Sequence, residues 1–452
     1  MAQPVEAPLT LSSDDVPKLH GTRDQITLWG SLGVSLLIPA TAVFVIRPGD
    51  GAPLSIAAAV TVVVLGSILG SALLGAAAVA STKTGASSML LLRGLLGRRL
   101  SYVPTLLNIA QCFGWATLEI FVIAAVGTRL TGGEGRLWWT LAAAVIAGLL
   151  AVRPIRTAAL VRRYLAWVVL AATAYLLYAV LANGIKASAD GSWHQFWLAF
   201  DIVVAMPVSW AVLAGDWARH SHSTRSTFIG VGTGYAAASM LCFLIGVFAV
   251  FSSGDFAAAY TPSAFLSGLM AVPIGGLALV ALAVDEIDEA FANIYSTAVS
   301  VQNLQPRIDR RLAAVAITAG AAVCALVINI EAYESFLLII GAVFVPLTVV
   351  LLTEWFVGAA LHKQAGDQRI TPWQPQPRRW LFALPWLIGV VVYSRMSPGT
   401  APGWSDGWRW FAESSGQWPS IAGSATLTCI FATVLSTLIV SVLHRRLTAI
   451  AG

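Results

Sequence analysis

Apolar runs of about twenty residues recur from one end of this sequence to the other. A run of that length is what an α-helix needs to cross the hydrocarbon core of a bilayer. Only 11% of the 452 residues are charged, and the mean hydropathy is +0.77. Short alternating strands, which would indicate a membrane β-barrel, are not the pattern here. The sequence therefore predicts an all-α polytopic membrane protein.

We predict twelve transmembrane helices, numbered here as spans 1 to 12. They lie near residues 27–46, 54–80, 102–128, 136–152, 163–183, 196–217, 227–251, 271–300, 312–329, 333–358, 379–394 and 419–443. The intervening loops divide the 27 Lys and Arg residues unequally, 21 on one side and 6 on the other. Because cytoplasmic loops carry the excess of basic residues, both termini are predicted to be cytoplasmic and the protein to be a multi-pass plasma membrane protein.

The net charge of +5 fits these basic loops, so we predict a lipid bilayer as the surroundings and no nucleic acid partner. Four cysteines lie within apolar segments and are interpreted as core residues rather than disulfides or metal ligands. The sequence contains no Walker motif, nucleotide-binding glycine loop or HExxH motif. We therefore predict that the protein is not an enzyme and has no cofactor, and the sequence gives no oligomeric state.

Two of the spans carry helix breakers near their middle. Span 1 contains Gly30, Gly33, Ser35 and Pro39, and span 6 contains Pro207 followed by Ser209-Trp210 and Gly215-Asp216. Proline removes a backbone donor, and a pair of broken helices in corresponding halves is typical of inverted-repeat transporters. Simple kinking is the alternative for either span alone.

Span 8 contains four acids, Asp285, Glu286, Asp288 and Glu289. A charge at the bilayer centre costs about 2.5–3.5 kcal/mol on insertion scales, so these acids are expected to face a partner or a cavity. At 100° per residue, Glu286, Glu289 and Asn293 fall on one side of Asp285, and Asp288 falls about 60° the other way. The alternative is a solvated vestibule wall with no specific ligand.

Span 3 has a polar stripe on one face. Asn108, Gln111, Trp115 and Glu119 are spaced three, four and four residues apart, which places them in one row of a helix. An amide, an indole and a carboxylate in one row predict a binding wall. The alternative is that Trp115 packs in the core and Glu119 pairs with a basic residue elsewhere.

Several short motifs together resemble the nucleobase–cation symporter family, type one, and most closely its cytosine and hydroxymethylpyrimidine branch. The residues that carry the resemblance are Thr84-Gly85-Ala86-Ser87-Ser88-Met89, Arg93, Gly97, Pro104, Gly114-Trp115, Ser209-Trp210, Asp216-Trp217-Ala218-Arg219 and Asn293-Ile294-Tyr295-Ser296. The resemblance implies a five-plus-five inverted repeat with broken helices 1 and 6, plus two extra helices. It divides the chain into a cytoplasmic tail (1–26), a transport core of spans 1–10 (27–358) and two additional spans with a cytoplasmic end (359–452).

The resemblance also implies a substrate site in which a flat heterocycle stacks between Trp115 and Trp210. In the family, the polar contact one turn after the span-3 tryptophan corresponds to Glu119, and the span-8 contact corresponds to Asn293. The full set of candidate substrate-binding residues is Trp115, Glu119, Trp210, Ser209, Asn293, Glu289, Gln111 and Ser35.

At the ion site the sequence departs from the family pattern. Sodium-coupled members use span-1 carbonyls, which correspond to Gly33 and Leu36, and a span-8 carbonyl, which corresponds to Val284. Their Ser/Thr pair falls on Ile287-Asp288 or Asp288-Glu289, where this sequence has no hydroxyl. The candidate cation-coupling residues are Asp288, Asp285, Glu289, Gly33, Leu36 and Val284, with sodium possible at Gly33, Leu36, Val284 and Asp288. Clustered acids are common proton relays, so we favour H⁺ over Na⁺ as the coupling ion.

We therefore predict a secondary-active symporter that imports a flat nitrogen heterocycle by alternating access. A carboxylate matches an amine-bearing edge, which favours cytosine, an aminopyrimidine or a related basic nucleobase-like compound. The alternatives are sodium-coupled uptake of a neutral nucleobase or vitamin precursor, a channel or receptor on the same scaffold, and an intramembrane enzyme with paired carboxylates.

Overall fold

The structure is a computed structural model. It describes residues 16–49, 52–152, 154–185, 191–253, 269, 272–328, 333–358, 370 and 377–449, with the backbone alone for 154–166, 253 and 448–449. Within these ranges the chain is helical in each of the twelve predicted positions, and its paired β-structure is limited to isolated bridges.

Sixteen α-helices are found in the described residues. They are α1 (Thr22–Ser31), α2 (Leu37–Ile46), α3 (Ile56–Thr84), α4 (Ser88–Leu96), α5 (Tyr102–Leu130), α6 (Arg136–Val152), α7 (Pro154–Ala182), α8 (Phe196–Ala211), α9 (Ala214–Ala218), α10 (Thr224–Ser253), α11 (Gly275–Leu304), α12 (Arg310–Val327), α13 (Tyr333–Leu352), α14 (Ala383–Met396), α15 (Trp404–Ser414) and α16 (Ala425–Ala449). A π-helical turn, Thr353–Gly358, extends α13.

Six of these helices are long and apolar enough to cross a membrane, judged by length and composition in the described part of the chain. They are Ile56–Thr84, Tyr102–Leu130, Thr224–Ser252, Arg310–Val327, Tyr333–Gly358 and Ala425–Leu447. Shorter apolar helices, including α2, α6 and α8, occupy further predicted spans. The all-α polytopic architecture predicted from the sequence is therefore confirmed.

Span 1 is broken, as predicted, between α1 and α2. The helix stops after Ser31 and resumes at Leu37. Pro39 lies in the first turn of α2, where its missing N–H costs nothing because that turn has no intrahelical acceptor. Gly33 lies in the break, where a Cβ atom would come within 3.0 Å of the Ala238 side chain. The close approach of α10 to the break thus leaves little room for a side chain at position 33.

Span 6 is also broken, but later than its proline suggests. Pro207 lies inside α8, which continues to Ala211 before the chain leaves helical geometry and α9 begins at Ala214. Gln111 donates to the carbonyl oxygen of Ser209 at 2.9 Å, so a side chain from span 3 satisfies a backbone acceptor next to the break. Both predicted broken helices are therefore present.

The helices pack in three groups. The first group contains spans 1, 2, 6 and 7 (α1, α2, α3, α8 and α10), and the second contains spans 3, 4, 8 and 9 (α5, α6, α11 and α12). The C-terminal group contains spans 10, 11 and 12 (α13, α14 and α16). Within the second group, α11 packs along α5, which brings the acidic span 8 against the polar stripe of span 3.

A buried carboxylate fastens the last span to span 6. Asp201, near the start of α8, is 1% exposed and accepts hydrogen bonds from the Ser424 hydroxyl at 2.6 Å and the Ala425 and Thr426 amides at 2.8 and 3.0 Å. These groups belong to the first turn of α16, whose free N–H groups need an acceptor. Asp201 is therefore an N-terminal cap supplied by another helix.

The segment before α1 lies across the end of span 6. The Lys18 ammonium donates to the carbonyl oxygens of Thr82 and Arg219 at 2.9 and 2.8 Å, and the His220 ring donates to Pro17 O at 3.0 Å. These contacts join the beginning of the described chain to spans 2 and 6.

Candidate substrate and ion site

Spans 3 and 8 are joined by two polar bridges. The Asn293 amide donates to Glu119 Oε1 at 2.7 Å, and the Asn108 amide donates to the Ser300 hydroxyl at 3.0 Å. Both bridges are buried, and Glu119 is 0% exposed. The helical period explains the arrangement. Asn108 and Glu119 lie on one face of α5, Asn293 and Ser300 lie on one face of α11, and these two faces meet. The predicted wall of span 3 and the predicted acidic face of span 8 therefore meet.

Gln111 extends the same stripe to span 6. Its amide nitrogen lies 2.9 Å from Asn108 Oδ1 and 2.9 Å from the Ser209 carbonyl oxygen. Ser209 is followed directly by Trp210. Residues predicted for the substrate site on spans 3, 6 and 8 are thus brought together in one buried region.

The two tryptophans are held by separate sets of aromatic neighbours. The Trp115 ring lies edge-on to Tyr333 and Phe336, with centroid distances of 5.9 and 5.2 Å. Trp210 lies edge-on to Trp29 at 6.1 Å and is tilted against Tyr235 at 6.4 Å. Edge-to-face contacts of this kind fix ring orientation.

Two acids of span 8 reach the break in span 1. Asp285 Oδ1 accepts from the Ser31 hydroxyl at 3.0 Å. Glu286 accepts from the Ser35 hydroxyl at 2.9 Å and from the Leu36 backbone N–H at 2.8 Å. Glu286 was predicted to lie on the polar face of span 8, but it is not among the residues predicted to bind substrate or ion. The signal that could have identified it is the break itself, because the first N–H groups of α2 require an acceptor and favour a negative one.

The remaining acids of span 8 are buried as well. Asp288 and Glu289 are each 4% exposed. Glu289 interacts electrostatically with Glu286, Glu119 and Asp285, which places it in the same acidic cluster. Asp285 and Glu286, which precede Asp288 by three and two residues, make hydrogen bonds that join span 8 to span 1. Ser35 is likewise engaged by Glu286.

Several buried polar atoms at this site have no hydrogen-bond partner within the described part of the chain. They are Gln111 Oε1, Trp115 Nε1, Glu119 Oε2, Glu289 Oε1 and Asn293 Oδ1. Buried polar atoms are normally paired, so such a set indicates a place where a ligand or water completes the bonding. When Glu119 and Glu289 are ionised, four of the five atoms are acceptors, which makes the site complementary to a molecule rich in N–H donors.

The predicted sodium site consists of the backbone carbonyls of Gly33, Leu36 and Val284 and the Asp288 side chain. The Leu36 backbone N–H donates to Glu286, and Val284 is 42% exposed. Among the described residues, no three His, Cys, Asp or Glu side chains form a group that could hold a metal ion. Sodium needs no such group, since backbone carbonyls and hydroxyls suffice for it.

The fold is shared with known transporters. The chain aligns over 97% of its length with 95% of Mhp1, a nucleobase-cation-symport-1 family transporter in a closed conformation with bromovinylhydantoin bound, at a TM-score of 0.71 and 15% identity. The inward-facing conformation of Mhp1 gives a TM-score of 0.68 at 15% identity, covering 99% of this chain and 94% of that one.

More distant transporters share the architecture. A manganese transporter of Eremococcus coleocola gives a TM-score of 0.59 at 11% identity, over 94% of this chain and 97% of that one. MhsT in complex with L-phenylalanine gives a TM-score of 0.56 at 14% identity, over 92% of this chain and 96% of that one. At these identities the likeness shows the fold alone, and it confirms the predicted transporter architecture.

A comparison with curated proteins gives no match. The sequence pattern of the family described as "Permease for cytosine/purines, uracil, thiamine, allantoin" does match, over residues 18–370. That range includes spans 1 to 10, and therefore every candidate site residue described above. The chain belongs to this family of cytosine/purine, uracil, thiamine and allantoin permeases, and it is a transporter rather than an enzyme.

Proposed function

We propose that this protein is a proton-coupled importer of a flat, donor-rich nitrogen heterocycle, of which cytosine or a related aminopyrimidine is the type. Transport proceeds by alternating access, in which the first and second helix groups move relative to each other around a central site. The proposal goes beyond family membership in two respects. It places the chain in the cytosine and hydroxymethylpyrimidine branch of the family, and it names the proton as the coupling ion.

The observation that carries the proposal is the set of unpartnered acceptors. Glu119 Oε2, Glu289 Oε1 and Asn293 Oδ1 are buried without a partner in the described residues. A substrate that presents an exocyclic amine and a protonated or N–H ring nitrogen would pair with these atoms. A substrate with a carbonyl in place of the amine would leave a buried acceptor facing another acceptor, which costs about 1–3 kcal/mol.

The aromatic residues supply the second part of the site. Trp115 and Trp210 are 6% and 5% exposed, and each is positioned by edge contacts with neighbouring rings. We assign to them the two faces of the heterocycle. Offset stacking on an aromatic ring contributes about 0.5–1.5 kcal/mol beyond the burial of apolar area. Gln111, Ser209 and Ser35 complete the surrounding wall.

The coupling role is assigned to the acidic side of span 8. Asp285, Asp288 and Glu289 are buried in α11, the helix of predicted span 8, and Asp285 bonds directly to span 1. Buried carboxylates in transporters are typical sites of proton transfer. Sodium coupling through Gly33, Leu36, Val284 and Asp288 is the competing assignment. The residues at the position of the family's Ser/Thr pair favour the proton, because Ile287, Asp288 and Glu289 carry no hydroxyl to bind sodium.

The membrane and its orientation are part of the proposal. The excess of Lys and Arg on one side predicts that both termini are cytoplasmic and that the protein lies in the plasma membrane. In this orientation the Lys18 and His220 contacts lie on the cytoplasmic side, and the site is loaded from outside.

A thermal-shift screen of purified protein tests the ligand and the ion together. Ligands that bind the folded state raise Tm by mass action. Cytosine and uracil form a matched pair, since they have nearly the same shape and differ in the donor or acceptor at one edge. We expect stabilisation by cytosine and little by uracil or hydantoin, with a pH dependence and no requirement for sodium. A strict need for sodium, or a preference for uracil, would contradict the proposal.

Counterflow in proteoliposomes separates a carrier from a channel or receptor. Vesicles preloaded with unlabelled cytosine should take up external labelled cytosine transiently above equilibrium. A channel on the same scaffold would equilibrate the label without this overshoot, and a receptor would not move it.

A further inference from the structure

The short helix α4 is a covalent connection between the first and second helix groups. It follows α3 of the first group after Gly85 and precedes α5 of the second group after a turn at Gly97. Alternating access moves the two groups relative to each other. The contacts of α4 therefore decide which group it follows and where the chain has to bend.

The beginning of α4 is bonded to the end of span 6. The Ser88 backbone N–H donates to Asp216 Oδ1 at 3.1 Å, and the Gly215 N–H donates to the Ser88 hydroxyl at 2.8 Å. All three residues are buried. A Cβ atom at position 215 would come within 2.8 Å of the Ser88 hydroxyl oxygen, so the contact is close as well as reciprocal. Because α9 packs on α3, these bonds attach α4 to the first group.

The C-terminal group holds α4 from another side. A 3₁₀ turn, Arg379–Phe382, precedes α14 and packs on α4. A Cβ atom at Gly97 would lie 3.7 Å from the Arg379 side chain. The C-terminal group packs in turn on span 6, since α13 contacts α8. Two neighbours that are joined to span 6 thus hold α4.

A charged hydrogen bond joins α4 to the second group. Arg93 Nη2 donates to the backbone carbonyl oxygen of Asn303 at 2.7 Å and to its side-chain oxygen at 2.9 Å. The Asn303 amide nitrogen donates to the Thr105 hydroxyl of α5 at 2.9 Å, which directs the side-chain oxygen to Arg93. Hydrogen bonds from a charged donor are about twice as strong as neutral ones. The contact between Arg93 and Asn303 therefore ties α4, and with it the first group, to α11.

The turn after α4 can act as a hinge. Gly97 has φ +82° and ψ +164°, a backbone conformation that is essentially confined to glycine. Hinges in proteins are a few residues at the ends of elements that absorb changes in backbone angles. Once the Arg93 contact is released, Gly97 allows α5 to change its direction relative to α4.

We propose that the contact between Arg93 and Asn303 is an inner latch, which holds the first and second groups together at the end of the bundle where α4 lies. Its release lets the central site open toward that end. The inference rests on alternating access, but on neither the substrate nor the coupling ion of the proposed function. Arg93 is a positioning residue, because it acts on the site through α11. The distribution of Lys and Arg predicts that this end is cytoplasmic, so release of the inner latch is the step that delivers substrate to the cell.

The test measures access to two buried positions on opposite sides of the site. Ser296 lies on α11 between Asn293 of the site and Asn303 of the inner latch, and it interacts with Asp216 of span 6. Thr41 lies on α2, beyond the break in span 1. Both are 0% exposed. Ser296→Cys and Thr41→Cys are treated separately with N-ethylmaleimide in proteoliposomes. Peptide mass spectrometry gives the rate of modification at each position and distinguishes it from the native cysteines.

The variant Arg93→Met keeps an apolar chain and removes the donor. It should raise the rate of modification at position 296 about fivefold or more and leave the rate at position 41 no higher, because losing a bond made in one state shifts the equilibrium to the other. Arg93→Lys keeps a charged nitrogen for the same two oxygens and should return the rate at position 296 to within about twofold of that with Arg93. Arg99→Ala, at an exposed position in the same turn, is the matched control and should change neither rate.

Two results would overturn the inner latch. One is an unchanged rate at position 296 in Arg93→Met. The other is a parallel increase at positions 296 and 41, which would show general loosening instead of opening toward one end. If Arg93→Met does not fold, Asn303→Ala removes the side-chain acceptor alone and should raise the rate at position 296 about twofold. No increase in Asn303→Ala would then count against the latch.

The outcome is separate from that of the proposed function. The modification rates are measured without cytosine and without an ion gradient. Failure of cytosine binding or of proton coupling would therefore leave the inner latch standing, and failure of the latch would leave the thermal-shift and counterflow tests of the proposed function unaffected.

Discussion

The Asn293 amide donates a 2.7 Å hydrogen bond to Glu119, joining the carboxylate of span 3 to the polar face of span 8. The bond uses one oxygen of Glu119 and one donor of Asn293. It leaves Glu119 Oε2 and Asn293 Oδ1 without a partner in the described residues. The pair is thus held in place by itself and presents two acceptors to a third molecule.

Replacing Glu119 by Gln is expected to weaken binding of cytosine. A hydrogen bond to a charged group contributes about 1.5–3 kcal/mol, so affinity should fall about 10- to 100-fold. The measurement is the concentration dependence of thermal stabilisation by cytosine. Glu134→Gln is the control because that side chain is exposed. Undiminished affinity in Glu119→Gln would remove Glu119 from the substrate site.

The tryptophan rings should be replaceable by another ring but not by a methyl group. Trp210→Phe keeps a surface for stacking and should reduce affinity for cytosine by less than about tenfold, whereas Trp210→Ala should abolish detectable counterflow. Trp138→Ala is the matched control, since that tryptophan is 73% exposed. Equal affinities for cytosine in Trp210→Phe and Trp210→Ala would show that the ring is only a packing element.

Asp201 should matter for stability rather than for binding. Asp201→Ala removes the acceptor for three donors at the start of α16 and should destabilise the protein by about 2 kcal/mol or more, seen as a lower Tm in detergent. Asp406→Ala tests the same kind of cap at an exposed site, where the Gly403 N–H lies 3.2 Å from its carboxylate. We expect a smaller decrease in Tm for Asp406→Ala than for Asp201→Ala. A similar Tm decrease in both variants would show that burial of the cap is unimportant.

His220 should make the cytoplasmic contacts sensitive to acid. Burial, reinforced by the positive charge of Arg219, lowers the pKa of His220 to about 4 from its ordinary value near 6.5. Between pH 4 and pH 6.5, the His220 ring is protonated in the unfolded chain and neutral in the folded protein. Stability from the neutral ring is therefore complete above pH 6.5 and is lost as the pH falls, by about 2 kcal/mol at pH 5.

The check is the change in Tm between pH 7 and pH 5. The Tm of wild type should fall further than the Tm of His220→Gln, because the titrating ring is absent from that variant. The Tm of His222→Gln, a substitution at an exposed neighbouring position, should fall as far as that of wild type. Parallel decreases in all three proteins would show that the buried ring makes no contribution.

The helices and their breaks could be predicted because they depend on local chemistry. Apolar runs fix the spans, and the glycines of span 1 lie where the helix stops between Ser31 and Leu37. Pro207 does not mark the position of the break in span 6, since α8 continues past it to Ala211. A proline weakens one turn of a helix, but whether the chain unwinds there depends on which neighbours satisfy the freed carbonyls.

The partners of the acids could not be predicted from the same pattern. A helical wheel places Glu286 at the edge of the polar face, and nothing in the local sequence says that this edge meets span 1. That contact is set by how α11 packs between α5 and the first helix group, a relation between residues about 250 positions apart. The roles of Asp285, Asp288 and Glu289 in coupling stay predictions.

The cap that Asp201 provides has a consequence for how the protein is made. Its partners, Ser424 to Thr426, follow it by 223 to 225 residues. A ribosome adding about 5–20 residues per second needs about 10 to 45 seconds to reach them. For that interval the Asp201 carboxylate of span 6 lacks the donors that satisfy it in the folded protein. Span 12, which is synthesised after span 6, therefore completes the bonding of Asp201, and chains shortened before Ser424 should be targets for membrane quality control.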